Sequence, residues 1–366
     1  MARFAVVGLG RIGLRVLWVL SRLGHEVFGI GINGREVERA RSLGLEAHVV
    51  DVFAGARFLR RRWEPDAVLT ALPGEIGFDA LRLLVSEGFN VVDVSFFRED
   101  PRELDRVAVK NGVRVVVDAG VAPGLSNFLV GYAASRGGGL SRAEIFVGGI
   151  SRRPDPPLGL SPTWSVEDLV DEYVRPARLV RRGSIVGLDP LGSLYGLLEV
   201  EGVGVLEYFP TDGLRTLLYS YRDADLLVEY TLRWPGHLEF MRNLRRIGML
   251  SSRMVNVQGC PVQPKKCLAR VIEHGLRQSE DIVVLRAYVV PRRGEERVYT
   301  SVTYNDNRWS AMSIATSTFQ VAAALALVEG LVPVGVNPPE RLGESVEASE
   351  LITGFLRSEG LVVDGL

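Results

Sequence analysis

The amino-acid sequence predicts an α/β fold in which a doubly wound parallel sheet is interrupted by an inserted mixed α+β domain. From Arg3 to about Tyr132, short runs rich in β-branched residues alternate with amphipathic helical patterns, as in successive βαβ units. After Arg136 the strand-like runs no longer alternate closely with helices. We therefore expect a first domain at residues 1–137, a second at 138–308, and C-terminal helices at 309–366 that return to the first domain.

Six strands are predicted in the first part of the chain. They occupy residues 4–7, 27–30, 47–50, 67–71, 91–94 and 113–117. Helical patterns lie between them at residues 12–23, 35–43, 77–87 and 101–111. Each pattern ends near a glycine or asparagine, as helix C-termini prefer. Four arginines are expected on the exposed face of a further helix: Arg57, Arg60, Arg61 and Arg62.

The second part of the chain reads as a mixed α+β domain. Strand-like runs lie at residues 143–150, 197–208, 225–233 and 281–290. Ser165 is expected to cap a helix that ends before Pro176, because apolar residues from Val166 onwards recur on one face. Two more helices are predicted at residues 309–329 and 345–358.

The composition argues against several classes of function. With 43 basic and 44 acidic side chains in 366 residues, the formal net charge is -1, so neither nucleic acid nor an anionic membrane is an expected partner. Two cysteines and four histidines are too few for a disulfide framework or a zinc ribbon, and no metal is expected. Residues 310–328 lack charges but contain Ser, Thr and Gln, which favours a buried core helix over a membrane span.

Two further features concern the source and location of the protein. Met1 leads directly into a strand pattern without an apolar signal segment, so a cytoplasmic protein is expected. Only Lys110, Lys265 and Lys266 are lysines, and an excess of arginine is a feature of some thermophilic families. The sequence thus suggests a thermophilic source.

A glycine-rich loop follows the first predicted strand. Gly8, Gly10 and Gly13 form the pattern G-x-G-x-x-G between a strand and a helix, with Arg11 and Ile12 at the start of the helix. Gly8 permits a tight turn, Gly10 lets backbone N–H groups approach a pyrophosphate, and Gly13 lets the helix pack close to the sheet. The sequence therefore predicts a Rossmann-type dinucleotide-binding domain.

The residues after the second predicted strand bear on the choice between NADP and NAD. An NAD site usually has an acid about 20 residues beyond the glycine loop. Gly31 occupies that position, and Asn33 and Arg35 just beyond it can bind a 2′-phosphate, so NADP is favoured. The alternative is that Arg35 is simply exposed and that the backbone binds the ribose. Asp51, after the third strand, either contacts the adenine side of the cofactor or caps a helix.

Further candidate residues follow strands four to six. In open α/β sheets the ligand lies outside the carboxyl ends of the strands. We therefore expect cofactor contacts from Ala71, Leu72, Pro73, Ser95 and Gly120. Asp93, at the end of the fifth strand, is either a substrate-binding residue or a structural one.

Five motifs occur along the chain in a distinctive order. They are DAGVAPGLSN at 118–127, the pair Gly148 and Gly149, WSVEDLVDEY at 164–173, TDGL at 211–214 and TLRWPGH at 231–237. In this order and spacing they resemble the saccharopine reductase-like family, most closely its L-lysine 6-dehydrogenase branch. There are two departures: Gly31 replaces an acid typical of that branch, and Val147 stands where saccharopine reductases have a cysteine.

The resemblance implies an NAD(P)-dependent oxidoreductase that acts on a carbon–nitrogen bond of a lysine-derived amino acid. It also implies that the inserted domain binds the substrate and mediates dimerisation. Because the strands of a mixed sheet would otherwise leave unpaired edges, we expect a homodimer.

The resemblance also assigns roles to individual residues. Asp118 matches the aspartate beside the nicotinamide and either holds the amine or accepts its proton; alternatively, it caps the next turn. Arg233 is expected to bind the α-carboxylate of the substrate with two parallel hydrogen bonds. Thr211 is expected to begin a helix whose free N–H groups assist that contact, or merely to cap the helix. Gly149 is expected beside the substrate.

These residues suit oxidation of an amine by hydride transfer, which requires no protein nucleophile. The favoured interpretation is oxidative deamination of L-lysine at its ε-carbon. The first alternative is a secondary-amine dehydrogenase of the saccharopine or carboxyspermidine type. The alternative from another class is a non-catalytic, nucleotide-binding regulatory protein.

Several polar residues are expected to be structural. Tyr173 is predicted in the core and His237 at the surface or at a helix cap. The acidic residues Glu167, Asp168, Asp171 and Glu172 are predicted to form a solvated helix face. Cys260 and Cys267 are predicted to be reduced and buried.

Overall fold

The computed structural model describes residues 1–154, 158–160, 165–192, 194–276 and 280–366. Trp164 of the WSVEDLVDEY motif and the side chain of Arg57 lie outside the described part of the chain. The chain forms two compact units. The first comprises Met1–Gly138, Ser313–Val362 and Leu366, and the second comprises Gly139–Met312 and Val363–Gly365.

The first unit contains a seven-stranded parallel sheet. Its strands are β1 (Arg3–Val7), β2 (Glu26–Gly31), β3 (Ala47–Val49), β4 (Ala67–Thr70), β5 (Val91–Asp93), β6 (Arg114–Val116) and β17 (Gly335–Asn337). They lie in the order β17-β6-β5-β4-β1-β2-β3, and every neighbouring pair is parallel. The chain starts in the middle of the sheet, extends it to one edge with β2 and β3, and then fills the other side. This order is that of a doubly wound fold.

Helices connect the strands of the first unit. They are α1 (Arg11–Arg22), α2 (Gly34–Ser42), α3 (Val52–Arg62), α4 (Gly74–Ser86), α5 (Asp105–Asn111), α6 (Leu125–Arg136), α11 (Ala311–Val328), α12 (Pro339–Glu344) and α13 (Val346–Ser358), with a 3-10 turn at Pro101–Leu104. The side chains of Asn33, Asp51 and Ser345 cap α2, α3 and α13 by accepting a hydrogen bond from a first-turn N–H. Ala5, Val7 and other strand residues are buried against apolar helix residues.

The predicted strands of the first unit are all present. Their ends differ from the predicted ones by at most one residue. The sheet also contains a seventh strand, β17, that was not predicted. Its three residues, Gly-Val-Asn, carry too little apolar pattern to be recognised in the sequence. The α/β, doubly wound fold class is confirmed.

The second unit contains a mixed eight-stranded sheet and a separate hairpin. Its strands are β7 (Leu140–Ser151), β8 (Ala177–Arg181), β9 (Ser184–Leu188), β10 (Gly196–Val200), β11 (Gly204–Pro210), β12 (Leu226–Arg233), β15 (Asp281–Pro291) and β16 (Arg297–Tyr304). The central order is β10-β11-β12-β7-β15-β16, with β8 bonded to β12 and to β9. Only β7 and β12 run parallel among the described strands of this sheet. The separate hairpin consists of β13 (Val255–Val257) and β14 (Cys260–Val262).

One predicted strand of this unit is wrong. Residues 197–208 form a hairpin of two strands, β10 and β11, and not a single strand. The chain reverses around Gly202, whose positive φ of 75° suits a tight turn. The alternation of apolar residues continues through the turn, and this hid it in the sequence.

The second unit has four helices in its described part. They are α7 (Val166–Asp171), α8 (Leu217–Ser220), α9 (His237–Arg246) and α10 (Pro264–Gly275). The helix predicted to begin at Thr211 begins instead at Leu217, so that prediction is wrong. The intervening segment bends at Arg215, which has a positive φ of 51°, and this conformation does not belong to a helix.

Helix α11 is long and apolar enough to cross a membrane by length and composition. Its 18 residues have a mean hydropathy of 1.6, and 78% of them are buried within the protein. Burial of this extent is typical of a core helix, as the polar Ser, Thr and Gln residues predicted.

Candidate cofactor and substrate sites

The glycine-rich loop has the geometry of a phosphate-binding turn. Gly8 has a positive φ of 91°, and a Cβ there would collide with the carbonyl oxygen of Ala71. A Cβ at Gly13 would collide with the carbonyl oxygen of Gly8. Both positions therefore require glycine.

Gly10 lies at the point where the loop is open. The only atom near a Cβ built on Gly10 is a carboxylate oxygen of Glu36, 3.9 Å away. Gly10 is the N-cap of α1, and no side-chain hydrogen bond caps this helix, so its N-terminus suits an anion. Arg11 is exposed and Ile12 half-buried. The loop thus fits the pyrophosphate of a dinucleotide.

The region after β2 contains both of the predicted phosphate-binding residues. The Asn33 side chain caps α2 by accepting a 3.0 Å hydrogen bond from the Arg35 N–H, and the Arg35 side chain is exposed. Gly31 is buried beside Leu9, and no carboxylate stands at its position.

Sequence reasoning missed Glu36, a half-buried acid one residue beyond Arg35. Burial raises the pKa of Glu36, whereas the nearby Arg11 lowers it. A carboxylate is therefore near the glycine loop after all, on helix α2 and not at the end of β2. The sequence rule expects the acid at the end of the second strand, so it could not identify Glu36 on the following helix.

Ala71, Leu72 and Pro73 adjoin the glycine loop. The Ala71 N–H donates to the Val7 carbonyl at 2.9 Å, and Leu72 lies against Gly8. Pro73 is the N-cap of α4. The structure thus brings these residues together with the loop, as expected for a shared cofactor site. Asp51 lies farther along the chain, where its carboxylate accepts a 2.9 Å hydrogen bond from the Phe53 N–H as the cap of α3.

Asp93 is buried at the end of β5 and is held by three hydrogen bonds. Its carboxyl group accepts from the Thr70 hydroxyl at 2.5 Å, from the Ser95 hydroxyl at 2.7 Å and from the Ser95 N–H at 3.0 Å. Burial raises the pKa of Asp93 to about 7; the hydrogen bonds from Thr70 and Ser95 oppose this rise, and the charge of Asp118 adds to it. Asp93 and Ser95 therefore join the ends of β4 and β5, and Asp93 titrates near neutral pH.

Asp118 lies directly after β6 in a strained backbone conformation. It is buried and has a positive φ of 54°, which is uncommon for a residue with a side chain. The next residue, Ala119, donates its N–H to the Asp93 carbonyl at 2.8 Å, and the Gly120 N–H donates to the Asp118 carbonyl at 2.9 Å. Two acids therefore lie at the ends of neighbouring strands, and the charge of Asp118 contributes to the raised pKa of Asp93.

Arg233 is buried at the end of β12 in the second unit. Its Nη2 pairs with the Glu172 carboxylate at 2.6 Å, its Nε donates to the Tyr173 hydroxyl at 3.1 Å, and its Nη1 donates to the Leu232 carbonyl at 2.9 Å. These bonds occupy three of the five N–H groups of the guanidinium. One N–H on each terminal nitrogen has no acceptor among the described residues.

His237 extends this network. Burial, followed by the positive charge of Arg233, lowers the pKa of His237 to about 3, so the imidazole is neutral at pH 7. Its Nδ1–H donates to the Leu158 carbonyl at 2.9 Å, and its Nε2 accepts from the Tyr173 hydroxyl at 2.8 Å. His237 was predicted at the surface or at a helix cap; it is the first residue of α9 but is buried, so the surface alternative is wrong. The sequence did not reveal this burial because the hydrogen-bond partners of His237 lie in distant parts of the chain. The prediction that Tyr173 belongs to the core is confirmed.

The acidic residues of α7 are also more buried than predicted. Asp171 is buried and pairs with Lys265, and Glu172 pairs with Arg233. Helix α10 packs against α7, so part of the predicted solvated face is covered. The prediction is wrong for Asp171 and Glu172.

Thr211 belongs to a second polar cluster of this unit. Its hydroxyl is 2.8 Å from the Thr231 hydroxyl and 3.4 Å from Glu229. Glu229 is buried; burial, and then the charges of Glu172 and Asp212, raise its pKa well above the ordinary value. A Cβ at Gly213 would collide with the Glu229 carboxyl, which fixes the path of the chain after Thr211. The free helix N–H groups predicted here are absent, since α8 starts six residues later.

Gly149 lies in β7 beside Gly148. A Cβ at Gly148 would be 2.6 Å from the Leu232 carbonyl oxygen, and one at Gly149 would collide with the end of the Met312 side chain. The glycine pair therefore lets neighbouring segments of the second unit approach closely. This geometry gives Gly149 a packing reason and leaves its substrate-binding role a prediction.

The remaining sequence expectations concern metals and cysteines. No group of three or more His, Cys, Asp or Glu residues that could hold a metal occurs in the described ranges. Cys260 and Cys267 are free, as predicted, but both are exposed. Their predicted burial is wrong.

The sheet order and the glycine loop define the class of the protein: an α/β protein with a Rossmann-type unit and an inserted mixed-sheet unit. A family profile described as the saccharopine dehydrogenase C-terminal domain matches residues 120–361. The chain belongs to this family, and the predicted family resemblance is confirmed. The L-lysine 6-dehydrogenase branch stays a prediction.

Curated relatives and a solved structure agree with this assignment. The chain is 21% identical over 313 residues to the mitochondrial alpha-aminoadipic semialdehyde synthase of Rattus norvegicus, which covers 79% of this chain and 33% of the relative. It is 22% identical over 254 residues to the saccharopine dehydrogenase [NADP(+), L-glutamate-forming] of Saccharomyces cerevisiae, covering 67% and 57% of the two chains. The alignments thus span less than two thirds of these relatives.

The solved structure is the apo saccharopine dehydrogenase (L-Glu forming) from Saccharomyces cerevisiae. It superposes with a TM-score of 0.78 at 18% identity, covering 100% of this chain and 99% of the other. At this identity the similarity establishes a shared fold.

Proposed function

We propose that the protein is an NAD(P)-dependent dehydrogenase that oxidises a carbon–nitrogen bond of a lysine-pathway amino acid. The observation that carries this proposal is the open, uncapped glycine loop followed in the same sheet by Asp93 and Asp118 at adjacent strand ends. A dinucleotide and a proton acceptor are what amine oxidation by hydride transfer requires. The names of the curated relatives support the same class of reaction.

The proposed cofactor is NADP rather than NAD. Gly31 presents no acid to repel a 2′-phosphate, and the exposed Arg35 is free to pair with one. The loop from Gly8 to Gly13 would hold the pyrophosphate, and residues 71–73 would adjoin it. When bound, the nicotinamide accepts the hydride.

The proposed substrate is L-lysine, oxidised at its ε-carbon. The Asp118 carboxylate takes a proton from the ε-ammonium group, which leaves a neutral amine able to lose hydride from the adjacent carbon. Water then adds to the resulting iminium and ammonia leaves, so the products are an aldehyde, ammonium and the reduced cofactor. The role predicted for Arg233, which is to bind the α-carboxylate, stays a prediction.

A secondary amine such as saccharopine is the second candidate substrate. The name of the Saccharomyces cerevisiae relative favours this candidate, since that protein is a saccharopine dehydrogenase. Val147 argues against it, because saccharopine reductases carry a cysteine at that position. A secondary amine of this kind also brings further carboxylates and therefore requires another cation.

A spectrophotometric screen tests these proposals. Purified protein is mixed with lysine, saccharopine or ornithine and with either oxidised nicotinamide cofactor, and formation of reduced cofactor is followed. We expect turnover with lysine and NADP. Turnover with saccharopine alone would select the second candidate. Nucleotide binding without turnover of any amine would support a non-catalytic regulatory protein.

A further inference from the structure

The second unit contains a small cavity whose lining includes none of the candidate site residues. It encloses about 220 Å³ and is lined by Arg152, Gly202, Val203, Ile282 and Tyr304. Pockets that bind drug-sized molecules usually enclose about 300 to 1,000 Å³, so this one suits a smaller molecule. We call it the Arg152 cavity.

The Arg152 cavity lies on one face of the mixed sheet. Ile282 of β15 is in register with Ile150 of β7 and with Tyr304 of β16, so these three side chains share a face. The turn of the β10–β11 hairpin reaches the same face, although β10 and β16 are at opposite ends of the central strand order. A Cβ built on Gly202 would be 4.0 Å from the Tyr304 hydroxyl oxygen. The hairpin turn therefore covers one side of the cavity.

This face is opposite to the one that carries Arg233. Thr231 of β12 is in register with Val147 of β7, and Val147 is three residues from Ile150 along the same strand. Since side chains alternate between the two faces of a sheet, Val147 and Thr231 point away from the cavity. Arg233, two residues beyond Thr231, shares that side. The Arg152 cavity is therefore separate from the polar network of Arg233.

A cation, an anion and an aromatic ring meet at the cavity. The Arg152 guanidinium lies over the Tyr304 ring, 5.5 Å from its centre, which is within the range of a cation–π interaction. Its Nη1 is 3.2 Å from a carboxylate oxygen of Glu280. The Arg152 side chain is 51% exposed and that of Glu280 is 63% exposed. An ion pair this exposed contributes little stability, so a ligand can separate its two charges.

We propose that the Arg152 cavity binds a free α-amino acid. The α-carboxylate of the ligand accepts charge-assisted hydrogen bonds from the Arg152 guanidinium, and its α-ammonium group pairs with the Glu280 carboxylate. A simple anion would displace Glu280 from Arg152 and leave that carboxylate without its cation, whereas a zwitterion satisfies both charges. Tyr304 positions the guanidinium, and Val203 and Ile282 leave an apolar wall for a short side chain.

Saturation-transfer NMR titrations without nucleotide test the charge requirement with three probes. L-alanine carries both charges, acetate carries only the negative charge and ethylamine only the positive one. We expect saturable binding of L-alanine to the wild type. Acetate and ethylamine should bind at least about tenfold more weakly, because each leaves one member of the ion pair without a partner.

Matched variants test which side chains hold the ligand. Arg152→Gln should weaken L-alanine binding at least about tenfold, because it removes a charged hydrogen-bond donor. Arg153→Gln is the control and should change nothing, since it alters the exposed neighbouring arginine. Tyr304→Leu should weaken binding because the guanidinium loses its support, whereas Tyr304→Phe keeps the ring and should retain binding.

Glu280→Gln gives a result of opposite sign for two probes. It should weaken binding of L-alanine and strengthen binding of acetate, because Arg152 then has no anion of its own. The altered side chains of Arg152, Glu280 and Tyr304 are exposed, so the fold should be retained, and circular dichroism checks this. No cofactor or turnover is needed, so the outcome does not depend on the proposed reaction.

Three results would overturn the proposal. The first is a wild type that does not bind L-alanine. The second is L-alanine binding that is unchanged in Arg152→Gln, which would place the amino acid at another site, such as that of the proposed substrate. The third is acetate binding to the wild type as tightly as L-alanine, which would make the cavity a site for simple anions.

Discussion

Asp118 is the residue on which the proposed chemistry depends most directly. Its strained backbone is kept by the hydrogen bonds of the following turn, and such strain is often found at functional positions. A carboxylate that takes the substrate's proton must be able to ionise, and the amide of asparagine cannot do so.

We predict that Asp118→Asn lowers kcat by about 10² to 10⁴-fold and leaves cofactor affinity nearly unchanged. Asp79→Asn is the control, because Asp79 is an exposed acid of the same unit that pairs with Arg82. Steady-state kinetics and cofactor titration measure both effects. Loss of nucleotide binding or of the fold, with kcat otherwise normal, would make Asp118 a structural cap.

Asp93 gives the protein a specific pH dependence of stability. Its pKa of about 7 in the folded state is above the ordinary 3.8, so the native state binds this proton more tightly than the unfolded chain. The stabilisation is present below the ordinary pKa and is lost as the pH rises through about 7.

We predict that titration of Asp93 lowers the free energy of unfolding of the wild type by roughly 2 to 3 kcal/mol as the pH rises from 5 to 8. In Asp93→Asn this part of the loss should be missing, since asparagine does not titrate. Urea unfolding of the wild type and of Asp93→Asn at the two pH values measures this difference in the free energy of unfolding. An identical pH dependence in the two proteins would contradict the raised pKa.

At the scale of elements, helix α2 is the part of the first unit that bears on cofactor choice. Arg35 and Glu36 are adjacent in its first turn, one exposed and cationic, the other half-buried and close to Gly10. The cation should attract a 2′-phosphate, while the nearby positive charge of Arg11 should offset repulsion between Glu36 and the pyrophosphate.

We predict that Arg35→Ala lowers NADP affinity about tenfold and leaves NAD affinity unchanged, because only NADP carries the phosphate that pairs with the guanidinium. Arg39→Ala, an exposed arginine of the same helix, is the matched control and should change neither. Fluorescence titration of both cofactors measures the difference. Equal NADP affinity in the wild type and Arg35→Ala would remove Arg35 from the site.

The parallel strands and the glycine loop could be predicted because each depends on local sequence. Runs of apolar residues mark β1 to β6, and the spacing of Gly8, Gly10 and Gly13 marks the turn. The network of Arg233, Tyr173 and His237 could not, since its hydrogen bonds join residues about 60 positions apart. The sequence pattern placed Tyr173 in the core, but it could not show which side chains the Tyr173 hydroxyl contacts.

The failed element predictions have a similar origin. Residues 197–208 keep a strand-like alternation through the turn at Gly202, so the break was hidden. Thr211 looked like a helix start, but helix α8 begins only at Leu217. The carboxyl group of Glu229, on β12, leaves no room for a Cβ at Gly213. In both cases the local pattern was outweighed by backbone reversal or by tertiary packing.

At the scale of the whole molecule, the two units have different kinds of candidate site. The first unit carries an open glycine loop and two neighbouring strand-end acids, whereas the second carries a buried arginine with two unused N–H groups. The features of the first unit match two needs of amino-acid oxidation, which are a nucleotide and a proton acceptor.

The central claim is that hydride leaves the ε-carbon of lysine for a nicotinamide. Lysine carrying deuterium at the ε-carbon is incubated with the protein and oxidised NADP, and the reduced cofactor is analysed by mass spectrometry. With both hydrogens of the ε-carbon replaced by deuterium, we predict that each reduced cofactor carries one deuterium. Reduced cofactor without deuterium, or none formed from lysine under conditions in which NADP is bound, would contradict it.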